Sequence, residues 1–184
     1  MHTKALRIAS ALALVFALAA SATTIHPIDT AHSTATFSVA HIWVQHVTGT
    51  VPIESGSVTL ARGSAIPLAA TAVLDATKIA TGEPDRDRAL ESPDFFDVKQ
   101  FPTWTFVSTS VTPHGPDSFE MDGNLTIHGV TRPERLEVSV QGTPDQPLYR
   151  ATATIDRHAF GMSITRLDPV IGSTADVTLE IALK

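Results

Sequence analysis

Six separate runs of this chain alternate polar and apolar residues with a period of two, and that constrains the fold more than any other feature. Thr34, Ala35, Thr36, Phe37, Ser38 and Val39 alternate, and Trp104 and Phe106 sit between threonines. Leu125 and Ile127 flank Thr126, and Leu136, Val138 and Val140 alternate with Glu137, Ser139 and Gln141. Ala151, Ala153 and Ile155 are separated by Thr152 and Thr154, and Val177, Leu179, Ile181 and Leu183 by Thr178, Glu180 and Ala182. Successive side chains of a strand point to opposite faces, so each run is a strand with one apolar and one wet face, the pattern of an antiparallel sheet. Turn-forming clusters separate the runs: Thr112-Pro113-His114-Gly115-Pro116, Asp122-Gly123-Asn124 and Gly142-Thr143-Pro144-Asp145. Short strands at this spacing imply a sandwich or a barrel. One window reads as helix. Glu83-Pro84-Asp85 opens it and Ser92-Pro93 closes it, a short helical insertion around residues 83–92.

With 184 residues there is room for one domain behind a leader. Lys4 and Arg7 precede an apolar run of 13 residues, Ile8 to Ala20, and Ala20-Ser21-Ala22 has the small-x-small form of a cleavage site. This is the three-part pattern of a secretory signal, and the run is shorter than the roughly 20 residues that span a bilayer as a helix. Residues 1–22 are therefore expected to be a signal peptide and 23–184 the mature domain, exported to the periplasm or secreted. No later segment is apolar enough to be expected to span a membrane. Without the leader, 11 cations face 19 acids, a net charge of −8 that disfavours binding to nucleic acid or anionic lipid surfaces. The absence of cysteine excludes disulfides, thiol catalysis, Fe–S clusters, Cys-based zinc sites and a lipoprotein anchor.

The apolar faces carry many alanines and few aromatics. An eight-stranded barrel either fills its interior with side chains or holds one small ligand, and small inward residues favour the ligand. Alternation alone also fits a sandwich with a packed core. If there is a cavity, the inward positions Phe37, Val39, Trp104, Phe106, Ile127, Ile155 and Ile181 are its expected lining. No nucleophile elbow, phosphate-binding loop, dinucleotide fingerprint or H-E-x-x-H motif is present. Seven histidines follow the leader, at 26, 32, 41, 46, 114, 128 and 158, but none form an H-x-H pair that would aim two imidazoles the same way from one strand. No metal site is expected. Arg86-Asp87 reads equally as an ion pair at a helix start or as polar groups at a pocket mouth.

Five blocks in order resemble the YceI-like polyisoprenoid-binding family. They are Ile28-Asp29-Thr30-Ala31-His32-Ser33 with Phe37-Ser38-Val39-Ala40-His41; Ala80-Thr81-Gly82 through Arg86-Asp87 and Leu90 to Ser92-Pro93-Asp94-Phe95-Phe96-Asp97-Val98; Phe101-Pro102-Thr103-Trp104-Thr105-Phe106; Gly123-Asn124-Leu125-Thr126-Ile127-His128-Gly129-Val130-Thr131; and Ile155-Asp156-Arg157 with Phe160-Gly161-Met162. The resemblance implies an all-β, eight-stranded antiparallel, lipocalin-like barrel whose apolar cavity holds a polyisoprenoid, such as a quinone tail or a polyprenyl derivative. It adds Phe160 and Met162 to the expected lining and places His41, Arg86, Asp87 and His128 at the polar end or mouth. Two departures stand out. Ala89 occupies the place where the family often has His, and Met162 to Leu167 matches only loosely. The implied function is non-catalytic binding, transport or storage of an isoprenoid lipid or quinone, with no cofactor. The oligomeric state stays open, a homodimer included. The alternative is a metal-dependent or lipid-modifying enzyme that uses the scattered histidines.

Overall fold

The computed structural model describes residues 22–42, 45–143, 145–163 and 169–184. The expected signal segment, up to residue 21, lies outside the described residues, as does most of the loosely matching stretch after Met162. The strands are β1 (Thr23–Pro27), β2 (Thr34–His41), β3 (Gln45–Thr50), β4 (Ile53–Ala61), β5 (Pro67–Asp75), β6 (Thr103–Pro113), β7 (Ser118–Ile127), β8 (Val130–Thr143), β9 (Gln146–Asp156) and β10 (Ile171–Ala182). They form one curled antiparallel sheet in the order β1-β4-β5-β6-β7-β8-β9-β10-β2-β3.

The class is the expected one, but the strand count is ten where eight were expected. The two edge strands, β1 and β3, are short and mostly exposed, so neither carries an apolar face that alternation could reveal. Both edges are tied down. Beyond β1, Ile28 bridges Leu183, with Asp29 N donating to Ala182 O at 2.8 Å and Lys184 N to Pro27 O at 2.9 Å. At β3, Thr50 and Ala80 exchange backbone bonds of 2.8 and 3.0 Å. Curling one edge back onto β10 satisfies backbone groups that an open edge would offer to another chain.

The helical insertion is α1 (Pro84–Glu91). Pro84 sits at its start, Glu83 caps it by accepting from Asp85 N, and Asp85 and Asp87 in the first turn complement the helix dipole. Ser92 stops the helix, its backbone N–H and its hydroxyl both donating to Ala89 O.

The buried residues form three clusters, one around Ile28, Ile53, Val58 and Leu60 and two at opposite ends of the same strands. Phe119 on β7 and Tyr149 on β9 belong to a cluster with Met121, Val138 and Ala151. Ile127 on β7 and Ile155 on β9 belong to another with Val51, Ala76, Ile79, Trp104 and Phe160. Tyr149 closes its end firmly. Its hydroxyl donates to Ala65 O at 2.9 Å, and burial pushes its pKa up to about 12. Between the two clusters the barrel is not filled.

Candidate functional site

An outer chamber of about 330 Å³ lies between the sheet and the helical insertion. Phe37, Val39 and His41 of β2 line it on one side, and Arg86, Ala89 and Leu90 of α1 on the other. Phe95 and Phe96, from the loop after α1, complete the cover, with the Phe96 ring 4.7 Å from that of Trp104. A smaller inner lobe of about 120 Å³ continues from it toward the middle of the barrel. Phe37, Trp104, Ile127, Ile155 and Val177 line both lobes, so the two adjoin along the barrel.

The space exists because residues on the inner face are small or are folded against the wall. Ala40, Ala89 and Ala175 face the outer chamber, and Ala35, Ala72 and Ala153 the inner lobe. Phe37 on β2 and Phe106 on β6 lie against glycines of the neighbouring strand. A Cβ at Gly49 would collide with the Phe37 ring, and one at Gly123 with the Phe106 ring. Glycine at these positions lets the aromatics pack sideways instead of crossing the lumen.

Few polar groups border the cavity, and most are spent on local structure. Arg86 donates from Nε to Thr81 Oγ1 at 2.7 Å and from Nη2 to Thr81 O at 3.2 Å, and Thr81 Oγ1 in turn donates to Asp87 Oδ1 at 2.5 Å. Arg157 donates to the carbonyls of Gly172, Met162 and Ile171 at 2.9, 2.5 and 3.2 Å. Both guanidiniums thus hold loops in place while their side chains border the chamber. The Trp104 indole N–H is buried with no hydrogen-bond partner among the described residues. Among the described residues Glu134 is the one acidic residue along either lobe, and it meets the inner lobe through carbon alone.

Of the expected lining residues, Phe37, Val39, Trp104, Phe106, Ile127, Ile155 and Met162 border one or both lobes, and so do His41 and Arg86 of the expected polar end. The structure places the other four elsewhere. Phe160 is wholly buried in the core cluster behind the chamber. Ile181 packs among the residues that close the far end of the barrel. Asp87 accepts from Thr81 N and Oγ1 and thereby seats α1 on the preceding loop. His128 forms, with Gly129, the two-residue turn between β7 and β8. Both have positive φ, 52° and 71°, as tight hairpin turns require, and the imidazole packs edge-on against Phe101. Ala89 leaves an apolar surface where an imidazole would have faced the chamber.

Leu90, Phe95, Phe96 and Glu134 border the cavity although alternation gave no sign of them. The first three come from the helix and the loop after it, where no period of two exists, and Glu134 is polar on an otherwise apolar face. Among the described residues, no group of three or more His, Asp or Glu side chains could hold a metal ion.

Residues 26–183 match the model of a family described as the YceI-like domain. A UPF0312 protein of Vibrio parahaemolyticus is 29% identical over 182 residues, covering 95% of this chain and 93% of the relative. A YceI protein of Salmonella arizonae is 32% identical over 116 residues, 63% of this chain and 60% of that protein. Among solved structures, BcnA of Burkholderia cenocepacia superposes with a TM-score of 0.77 at 20% identity, covering 85% of this chain and 99% of the other. A polyisoprenoid binding domain from Saccharophagus degradans, implicated in plant cell wall breakdown, superposes at 0.69 with 15% identity, covering 86% and 97%. These two structural likenesses concern the fold.

Proposed function

The chain belongs to the YceI-like family, and from that premise we propose that it binds a polyisoprenoid lipid, a quinone tail or a polyprenyl derivative, in the two-lobed cavity. The observation that carries this reading is the cavity itself. It is elongated, bordered almost wholly by carbon, and covered by a helix and a loop. A prenyl chain has almost no hydrogen-bonding capacity, so what its carrier must supply is apolar area. At roughly 25 cal/mol per Å², burying a few hundred Å² of chain contributes several kcal/mol. The polyisoprenoid-binding domain of the same fold supports the choice of ligand class.

In this reading the tail occupies both lobes and the polar end rests at the mouth beside His41 and Arg86. The protein is a non-catalytic carrier or store in the aqueous space outside the cytoplasm, reached after removal of residues 1–22. Organic extraction of freshly purified, untagged protein, with mass spectrometry of the extract and elemental analysis of the protein, tests this. We expect about one prenyl lipid per chain and no stoichiometric zinc or copper. One metal per chain with no lipid, lost on substituting His41 or His128, would favour the enzyme reading instead.

A further inference from the structure

We propose that the barrel measures its ligand: the two lobes hold a prenyl chain of about four five-carbon units, tail inward, and a packed layer of side chains denies longer chains any further gain. The inference rests on the lipid-binding reading and deepens it by naming the chain length.

The inward residues of β2, β10 and β9 lie opposite one another in successive layers. Val39, Ala175 and Ile155 form the first and border the outer chamber. Phe37, Val177 and Ala153 form the second, and all three line the inner lobe. Ala35, Leu179 and Ala151 form the third, which continues across β8 and β7 through Val138 and Phe119. In that third layer the lining ends. Ala35 and Leu179 still border the lobe, whereas Ala151, Val138 and Phe119 are buried in the cluster that contains Tyr149. One layer further, Ile181 lies opposite Tyr149, and both pack in that cluster.

Polar groups stand at the other end, His41 at the end of β2 and Arg86 on α1. Along the inner lobe, Thr36 turns its hydroxyl to Thr178 O at 3.2 Å, and Glu134 meets the space through carbon alone. A hydroxyl or carbonyl of the ligand pushed into the lobe would lose its water and find no partner. The hydrocarbon end therefore enters first, and the polar end stays at the mouth.

From His41 to Ala35, β2 advances about 20 Å along the strand, or about 15 Å along a barrel axis to which strands tilt by roughly 40°. A prenyl chain advances about 5 Å per five-carbon unit, a zigzag of four bonds of about 1.5 Å each, so this depth takes about three to four units. Volume leads to the same length. One unit at the packing density of a protein interior occupies about 120 Å³. The outer chamber of about 330 Å³ then takes about three units, and the inner lobe of about 120 Å³ takes about one more.

The test titrates the delipidated whole protein with geraniol, farnesol, geranylgeraniol, geranylfarnesol and hexaprenol, a series that grows by one unit at each step. Each unit up to geranylgeraniol should tighten binding about tenfold or more, and the two beyond it less than about twofold each. Ala153→Leu fills the inner lobe from β9, and Ala72→Val fills it from β5 should the first not fold. Either variant should bind farnesol like wild type and bind geranylgeraniol no tighter than farnesol. Thr154→Leu, on the outward face of β9, should keep the wild-type series. Wild-type affinity that keeps climbing through geranylfarnesol and hexaprenol would overturn the chain-length limit and leave lipid binding standing. So would a folded lobe-filling variant that still gains from geranylgeraniol. Failure of every alcohol to bind wild type would overturn the lipid reading along with it.

Discussion

Phe160→Ala should lower the free energy of unfolding by about 3–5 kcal/mol, as removal of a wholly buried aromatic ring typically does. Phe160 is fully enclosed among Val51, Ala76, Ile79, Val98 and Met162, at the end of a short 3₁₀ turn closed by Gly161 with φ +80°. The substitution deletes contacts of the wall and leaves the lining residues in place. Chemical denaturation monitored by circular dichroism should therefore show a large loss, while protein still folded at low denaturant retains its lipid. A variant of near wild-type stability that has lost its lipid would mean that the ring meets the ligand after all.

Ala175→Trp should have the opposite signature. Ala175 pairs with Val39 of β2 and Ile155 of β9, and all three border the outer chamber. An indole there occupies the space the prenyl chain needs, and a ring of that size displaces on the order of 150–250 Å² of contact. At roughly 25 cal/mol per Å² the loss of affinity should be about 100-fold or more. Stability should change little, because the volume is available. In a packed interior the same change would cost roughly 1–3 kcal/mol by overpacking. Thr174→Trp, on the exposed opposite face of β10, is the control that should leave lipid content unchanged. Lipid retained by Ala175→Trp at reduced stability would mean that the chamber is not the binding site.

The contrast between these two residues shows what a pattern of alternation can reveal. It identifies the inner face, and Phe37, Val39, Trp104, Phe106, Ile127 and Ile155 all stand on it and border the cavity. It carries no information on depth. Ile181 obeys the same period on β10, but it lies where Phe119 and Tyr149 close the barrel, so it packs against core instead of bordering the space. Phe160 follows the end of β9, where the period is lost and an apolar residue can face either core or ligand. The helical cover was legible as a helix from Glu83-Pro84 and Ser92-Pro93, but that Phe95 and Phe96 fold over the chamber depends on tertiary packing. Arg86-Asp87 had two readings, and the structure contains parts of both: Arg86 borders the chamber, and both side chains hold Thr81. β5 shows no period for a plainer reason. Its run of Pro67-Leu68-Ala69-Ala70-Thr71-Ala72 has too little contrast between its two faces to show a period.

Trp104 borders both lobes, so its indole reports directly on a prenyl chain lying there. The chain has two tryptophans, Trp43 and Trp104, so Trp43→Phe leaves Trp104 as its single indole. Titrating that variant with a long-chain prenyl quinone, whose ring and tail both pass close to the Trp104 wall on entry, should quench and shift Trp104 emission until one ligand is bound per chain, and then stop. Emission that stays unchanged while an independent assay shows the quinone bound would place the ligand elsewhere and contradict the account.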